Sequence, residues 1–181
     1  MRTKIKFRLF MGLAAAATMI GIGVVQKVEA SSSANATGTA NTKIITSISI
    51  SKTTDLNFGD AAQSDISKVM DPSTAPSGAG YAGSPTRGLF AVGGQNSHAY
   101  TVAIAPASVT MTTGAGNTAD LQIVVNAFTY YSSTAASSAS ASLSAGGTDN
   151  LYLAGTQAAI RASQTSGTYV SPNITVTVTY L

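Results

Sequence analysis

Near the C-terminus, Ile174, Val176, Val178 and Tyr180 alternate without a break with Thr175, Thr177 and Thr179. A strict period of two, built from β-branched and aromatic residues, specifies a strand with one buried face and excludes a helix there. The same alternation opens the folded region, where Ile44, Thr46, Ile48 and Ile50 interleave with Ile45, Ser47, Ser49 and Ser51. It returns at Leu121, Ile123, Val125 and Ala127, with Phe128 and Tyr130 extending that strand. No stretch after residue 30 carries a helical period. Short alternating runs punctuated by Gly, Pro and Asn every ~8–12 residues predict an all-β protein, an antiparallel β-sandwich. Composition agrees, since only 9% of the residues are charged against roughly a quarter in ordinary soluble domains. Ser, Thr, Ala and Gly take the place of Lys and Glu, which excludes a coiled coil and a charge-driven disordered tail.

The first 30 residues follow a different logic. Arg2, Lys4, Lys6 and Arg8 precede an apolar run from Leu9 to Val25, and Val28-Glu29-Ala30 supplies small residues for cleavage. This is the pattern of a secretory signal peptide, and the run is at the lower limit for crossing a bilayer. The segment also explains the formal net charge of +3. Five of the ten basic residues (Arg2, Lys4, Lys6, Arg8, Lys27) and one of the seven acids (Glu29) lie in it. Without it the chain is near neutral, with its five cations scattered, so neither nucleic acid nor an anionic lipid surface is an expected partner, and no membrane span remains. Residues 31–43, which begin SSSANATGTANT, read as a flexible arm, and 44–181 as a single sandwich domain.

Within that domain the segment Asp55-Leu-Asn-Phe-Gly59 predicts a short strand ending in glycine. Leu89–Val92, the Gly93-Gly94-Gln95-Asn96 turn and Tyr100–Ile104 predict a β-hairpin. Val109 and Met111 lead into a turn-rich stretch. Ser132–Gly147 reads as an exposed Ala/Ser loop without chemistry of its own. Leu151 and Leu153, then Ala158, Ile160 and Ala162, predict two further strands.

The chemistry that defines most enzymes is missing. The sequence has no Cys, which removes thiol catalysis, cysteine metal sites and disulfides from a chain addressed to an oxidising compartment. His98 is the sole histidine, and beside Ser97 in a turn it makes no nucleophile elbow. Gly78-Ala79-Gly80-Tyr81-Ala82-Gly83 matches the dinucleotide fingerprint letter for letter. It lacks the preceding strand, the following helix and the distant acid, with Pro72, Pro76 and Pro85 around it, so it reads as a loop. Asp55 with Asp60, or Asp120 with Asp149, are the carboxylate pairs available for acid–base work or calcium, but their flanks look like turns in which Asp caps the backbone. No catalytic, cofactor or metal residue is nameable, and the chain reads as a non-enzyme.

Asp55-Leu-Asn-Phe-Gly59, Phe90-Ala-Val-Gly-Gly94 with Tyr100, Leu151-Tyr-Leu-Ala-Gly155, and Gly167-Thr-Tyr169 leading into Ile174–Tyr180 together resemble a family of secreted bacterial domains of unknown function. That family is similar to spore coat protein U and to the pilin-like subunits of Gram-negative chaperone-usher systems. The resemblance implies an immunoglobulin-like sandwich, exported to the periplasm, cell surface or medium, that assembles by donor-strand complementation. Self-association, or association with related subunits, and a periplasmic chaperone and outer-membrane usher follow as implied partners, with adhesion or biofilm formation as the implied role. On this reading Ile174, Val176, Val178 and Tyr180 form the C-terminal assembly strand. Ile44, Ile48 and Ile50 serve either as donor segment or as the first strand of their own sandwich. The alternative is a monomeric secreted binding module, for example for carbohydrate, with Tyr130, Tyr131 and Tyr152 as stacking surfaces.

Overall fold

The structure, a computed structural model, describes residues 34–77, 80–114 and 117–181. The expected signal peptide lies outside the described residues, as do Gly78 and Ala79 of the glycine-rich run. Residues up to Asn41 belong to a unit separate from Thr42–Leu181. Of that first unit the described residues, 34–41, are exposed and without regular secondary structure.

Thr42–Leu181 is an antiparallel two-sheet sandwich. The larger sheet runs β1 (Ser49–Thr54), β3 (Gly88–Gly93), β8 (Thr148–Gln157), β6 (Gln122–Ser132), β5 (Ser108–Thr112), with β2 (Lys68–Val69) also pairing β8. The smaller runs β7 (Ala141–Ser142), β4 (Ala99–Ala105), β9 (Thr175–Tyr180). A 3-10 turn, Ala119–Leu121, precedes β6. The expected all-β sandwich is what the chain forms.

The core forms where the alternating rows meet. Val92, Leu151 and Leu153 from the larger sheet pack against Tyr100 and Val176 from the smaller, with Ala141 and Leu143 between them. Phe58, Met70, Val109, Val125 and Ala154 make a second cluster, and Phe128 and Ile174 pack against both. Removing such side chains from water, at about 25 cal/mol per Å² of apolar surface, is the main stabilising term in a chain with no disulfide.

Four local expectations differ from the structure. The hairpin expected from Leu89 to Ile104 is an inter-sheet crossover. Both flanks of β3 are taken, by β1 and β8, so β4 has no edge to join there and pairs with β7 and β9 in the other sheet. Gly94 makes this crossing possible, because a Cβ there would collide with the Tyr180 hydroxyl. Ser132–Gly147 is not a bland exposed loop. It carries β7, an edge strand of the smaller sheet, and buries Ala141 and Leu143. The two strands expected after residue 151 are one, β8, and Ala158–Ala162 leaves the sheet while burying Ile160. The strand expected from Asp55 is a lone bridge at Asn57, after which Gly59 turns the chain at φ +72°.

Candidate functional site

β9 is an edge strand, paired with β4 on one flank only among the described strands. Its register places Tyr100 opposite Tyr180 and Ala105 opposite Thr175. The Leu181 amide donates to the Ala99 carbonyl, and antiparallel bonding alternates along a strand. Thr175, Thr177 and Thr179 therefore turn their backbone groups toward β4, while Val176, Val178 and Tyr180 turn theirs to the open flank. These three also point their side chains at the core. The β9 edge thus combines unpaired backbone with an apolar face, which is what an incoming strand requires.

The other sheet ends on the same seam. Strand β1 begins at Ser49, later than the alternation from Ile44 implied, and pairs with β3 from Ser49 opposite Gly93. Ile48 and Ile50 pack against the cluster that holds Val176, with Val178 and Tyr180 as neighbours there, whereas Ile44 is 91% exposed and outside any strand. So Ile48 and Ile50 lie with their own sandwich, and Ile44 is the member of the trio left uncovered.

Tyr180 joins the two termini of the domain. Its hydroxyl donates to the Thr46 carbonyl at 2.9 Å and accepts from the Gln95 amide, while the Gln95 side-chain oxygen accepts from the Thr46 amide at 3.2 Å. His98 meets the Tyr180 ring edge-on, with centroids 5.7 Å apart. The segment before β1 is thereby fixed at Thr46 beside the C-terminal end of β9.

Sequence reasoning missed a buried polar cluster behind this seam. The flanks of Asp149 suggest a turn, but it lies inside β8 and is 5% exposed. Its carboxylate accepts from Tyr100 Oη at 2.6 Å, Ser132 Oγ at 2.6 Å, Ser133 Oγ at 2.9 Å and the Thr134 amide at 2.8 Å. Burial works against its charge, but the bonds from Ser132, Tyr100 and Thr134 outweigh that and hold the carboxyl below the usual aspartate range. Burial and the bond to Asp149 push the Tyr100 phenol far above its ordinary value, so it stays a proton donor. The signal available in the sequence was parity: Asp149 shares the row of Leu151 and Leu153.

The remaining candidates are dispersed. Asp55 pairs with Lys52 at 2.6 Å, and Asp120 accepts from Ser163. No hydrogen bond among the described residues joins Asp55 to Asp60 or Asp120 to Asp149. Tyr131 lies opposite Tyr152 on the outer face of the larger sheet, and the Arg87 guanidinium covers the Tyr152 ring at 3.8 Å. Tyr130 packs toward the core instead, so the three tyrosines form no common platform. Among the described residues no three His, Asp or Glu side chains converge as a metal site would require.

Fold and site together define an all-β, two-sheet domain whose distinguishing feature is an unpaired edge over an apolar seam. The family model for a domain of unknown function, DUF4402, matches residues 48–180, and the chain belongs to that family. No curated protein and no solved structure matches it.

Proposed function

We propose that this protein is an exported structural subunit that associates with copies of itself, or with related chains, by adding a strand to β9. The observation that carries the reading is the open flank at Val176, Val178 and Tyr180, where unpaired backbone and a core-facing apolar row coincide. An extended segment laid there gains main-chain hydrogen bonds and seats alternate side chains at once. The segment ahead of β1, with Ile44 exposed, is the donor candidate. Its pattern of a β-branched residue every second position suits such a groove. The resemblance to spore coat protein U and pilin-like subunits supports the same reading and adds a periplasmic chaperone, an outer-membrane usher, a cell-surface location and an adhesive or biofilm role.

Size-exclusion chromatography with light scattering, together with negative-stain microscopy, on protein recovered from periplasm and cell surface tests this. The expected result is SDS- or heat-resistant multimers. A variant lacking residues 31–47, which keeps Ile48 and Ile50 for its own core, should be a folded monomer that captures a synthetic peptide of the removed sequence. A stable monomer in the untruncated protein, with no peptide capture after truncation, would overturn the assignment.

A further inference from the structure

At the end of the sandwich away from Tyr180 the larger sheet extends beyond the smaller. Met111 on β5 lies opposite Ile123 on β6, in the register that sets Val109 opposite Val125, and Val125 lies opposite Gln157 on β8. Since Val109 and Val125 are core residues, Met111, Ile123 and Gln157 share the core face. Two loop segments, Leu56–Gln63 and Thr165–Tyr169, flank them and border an open cleft of about 770 Å³. That volume falls in the range of small-molecule sites. The flanking segments are tied to each other and to the sheet. Gln63 Nε2 donates to the Gln164 carbonyl at 2.6 Å, the Gln164 amide donates to the Asp120 carbonyl at 2.8 Å, and the Tyr169 hydroxyl caps the Thr165 carbonyl at 2.7 Å.

Gln157 stands out in this cleft. It is 4% exposed, in the inward row of β8 that also holds Asp149, Leu151, Leu153 and Gly155, and its side-chain amide makes no hydrogen bond to any described residue. Among the described residues no fully covered side-chain polar atom lacks a partner, so the Gln157 amide opens into the cleft. The amide therefore presents its donors and its acceptor to whatever fills the cleft. The Gln164 side-chain oxygen, on a residue 3% exposed, likewise accepts no bond from the protein. Apart from the single carboxylate of Asp60 the lining is uncharged, with Phe58, Met111, Ile123 and Ile160 as apolar walls.

We propose that this cleft is a binding site for a neutral N-acetylated sugar of one or two rings, held by Gln157. A carboxamide offers a donor and an acceptor side by side, and an acetamido group answers both with its C=O and N–H. Its methyl needs an apolar wall, which Met111 and Ile123 provide, and the volume of the cleft suits a compact ligand. No cation lines the site to receive an anionic ligand. The site is independent of strand addition at β9.

Saturation-transfer NMR with N-acetylglucosamine and its β1,4-linked disaccharide tests the proposal, and observing the ligand makes it applicable to monomer or polymer alike. The expected result is saturable binding with Kd on the order of a millimolar, as the efficiency of ligands this size implies, and strongest saturation at the acetyl methyl. Gln157→Leu should weaken binding at least ~10-fold, the consequence of losing two hydrogen bonds. Absence of binding, or unchanged Kd in Gln157→Leu, overturns the proposal. So does equal binding of glucose or of trialanine, the latter marking a peptide site. Should Gln157→Leu fail to fold, the saturation map on the unaltered protein decides alone: ring protons saturated in preference to the methyl refute the pose. A monomer that binds sugar sinks the assembly reading only, and a polymer that does not bind sinks this one only.

Discussion

Asp149→Ala is the substitution whose cost can be worked most directly from the structure. It removes the acceptor for four donors, two of which, Tyr100 Oη and Ser132 Oγ, sit on residues 2% and 0% exposed. Each buried donor left unpaired costs about 1–3 kcal/mol, so the two together cost roughly 2–6 kcal/mol. Ser133 and Thr134 are exposed and can turn to water. The expected loss, about 3–5 kcal/mol, is a large share of the roughly 5–15 kcal/mol that holds a typical domain together. Urea unfolding followed by far-UV circular dichroism and tyrosine fluorescence, the chain having no Trp, reads it as a lower midpoint at unchanged slope. Thermal melts should shift down by on the order of 10 °C. Asp149→Asn keeps the shape and one acceptor and should lose about half as much. The pH dependence follows from the depressed carboxyl. Asp149 contributes its stabilisation in full above the ordinary aspartate value of 3.8, and loses it as pH falls through the lower value of the folded state. The gap between Asp149→Asn and the parent protein should therefore begin to close only as pH falls below 3.8, and vanish below the still lower value of the folded state. A loss under ~1 kcal/mol for Asp149→Ala at neutral pH would refute the reasoning, since it is the least that one orphaned donor costs.

Other substitutions probe different parts of the sandwich. Leu151→Ala, at a site 1% exposed in the first core cluster, should cost about 2–5 kcal/mol in the same denaturation assay. Gly94→Ala drives a methyl into the Tyr180 hydroxyl and to 3.1 Å from Leu143 Cδ1. It should cost about 1–3 kcal/mol and raise hydrogen-exchange rates at Thr46 and Gln95 together. Lys52→Ala breaks an ion pair whose side chains are 56% and 79% exposed, and should change stability by less than ~1 kcal/mol, a difference that vanishes in high salt.

The terminal strand was legible because every signal at Ile174–Tyr180 agrees: period two, β-branched residues and no breaker. The crossover after Gly93 was not legible, since a Gly-Gly-Gln-Asn turn between alternating runs is what a hairpin also presents. Only the occupancy of both flanks of β3 decides between them, and that is a long-range fact. Ser132–Gly147 concealed Ala141 and Leu143 because small residues bury without leaving a hydrophobic signature. In the candidate sites the apolar row of β9 could be named from periodicity, whereas Asp149 and Gln157 could not. Each is a polar residue on an apolar row, and its meaning depends on which side chains or which empty space the opposite elements set against it.

The route of the chain between sheets has a kinetic consequence. β5 and β6 are the one consecutive pair of described strands that bond to each other, and every other pairing joins segments distant in sequence. A topology so poor in local contacts places this domain among slow folders, in milliseconds to seconds or beyond, because most loops must close before any contact rewards them. Each sheet waits on a late strand. β4 has no long partner until β9 arrives from about seventy residues downstream, while β8, which joins β3 to β6, comes after the strands it unites. Unfolding should accordingly be a single event seen alike by probes in both sheets. The interval before it is complete, when the apolar row at the end of the chain is still waiting for β4, is when a holding partner would matter most.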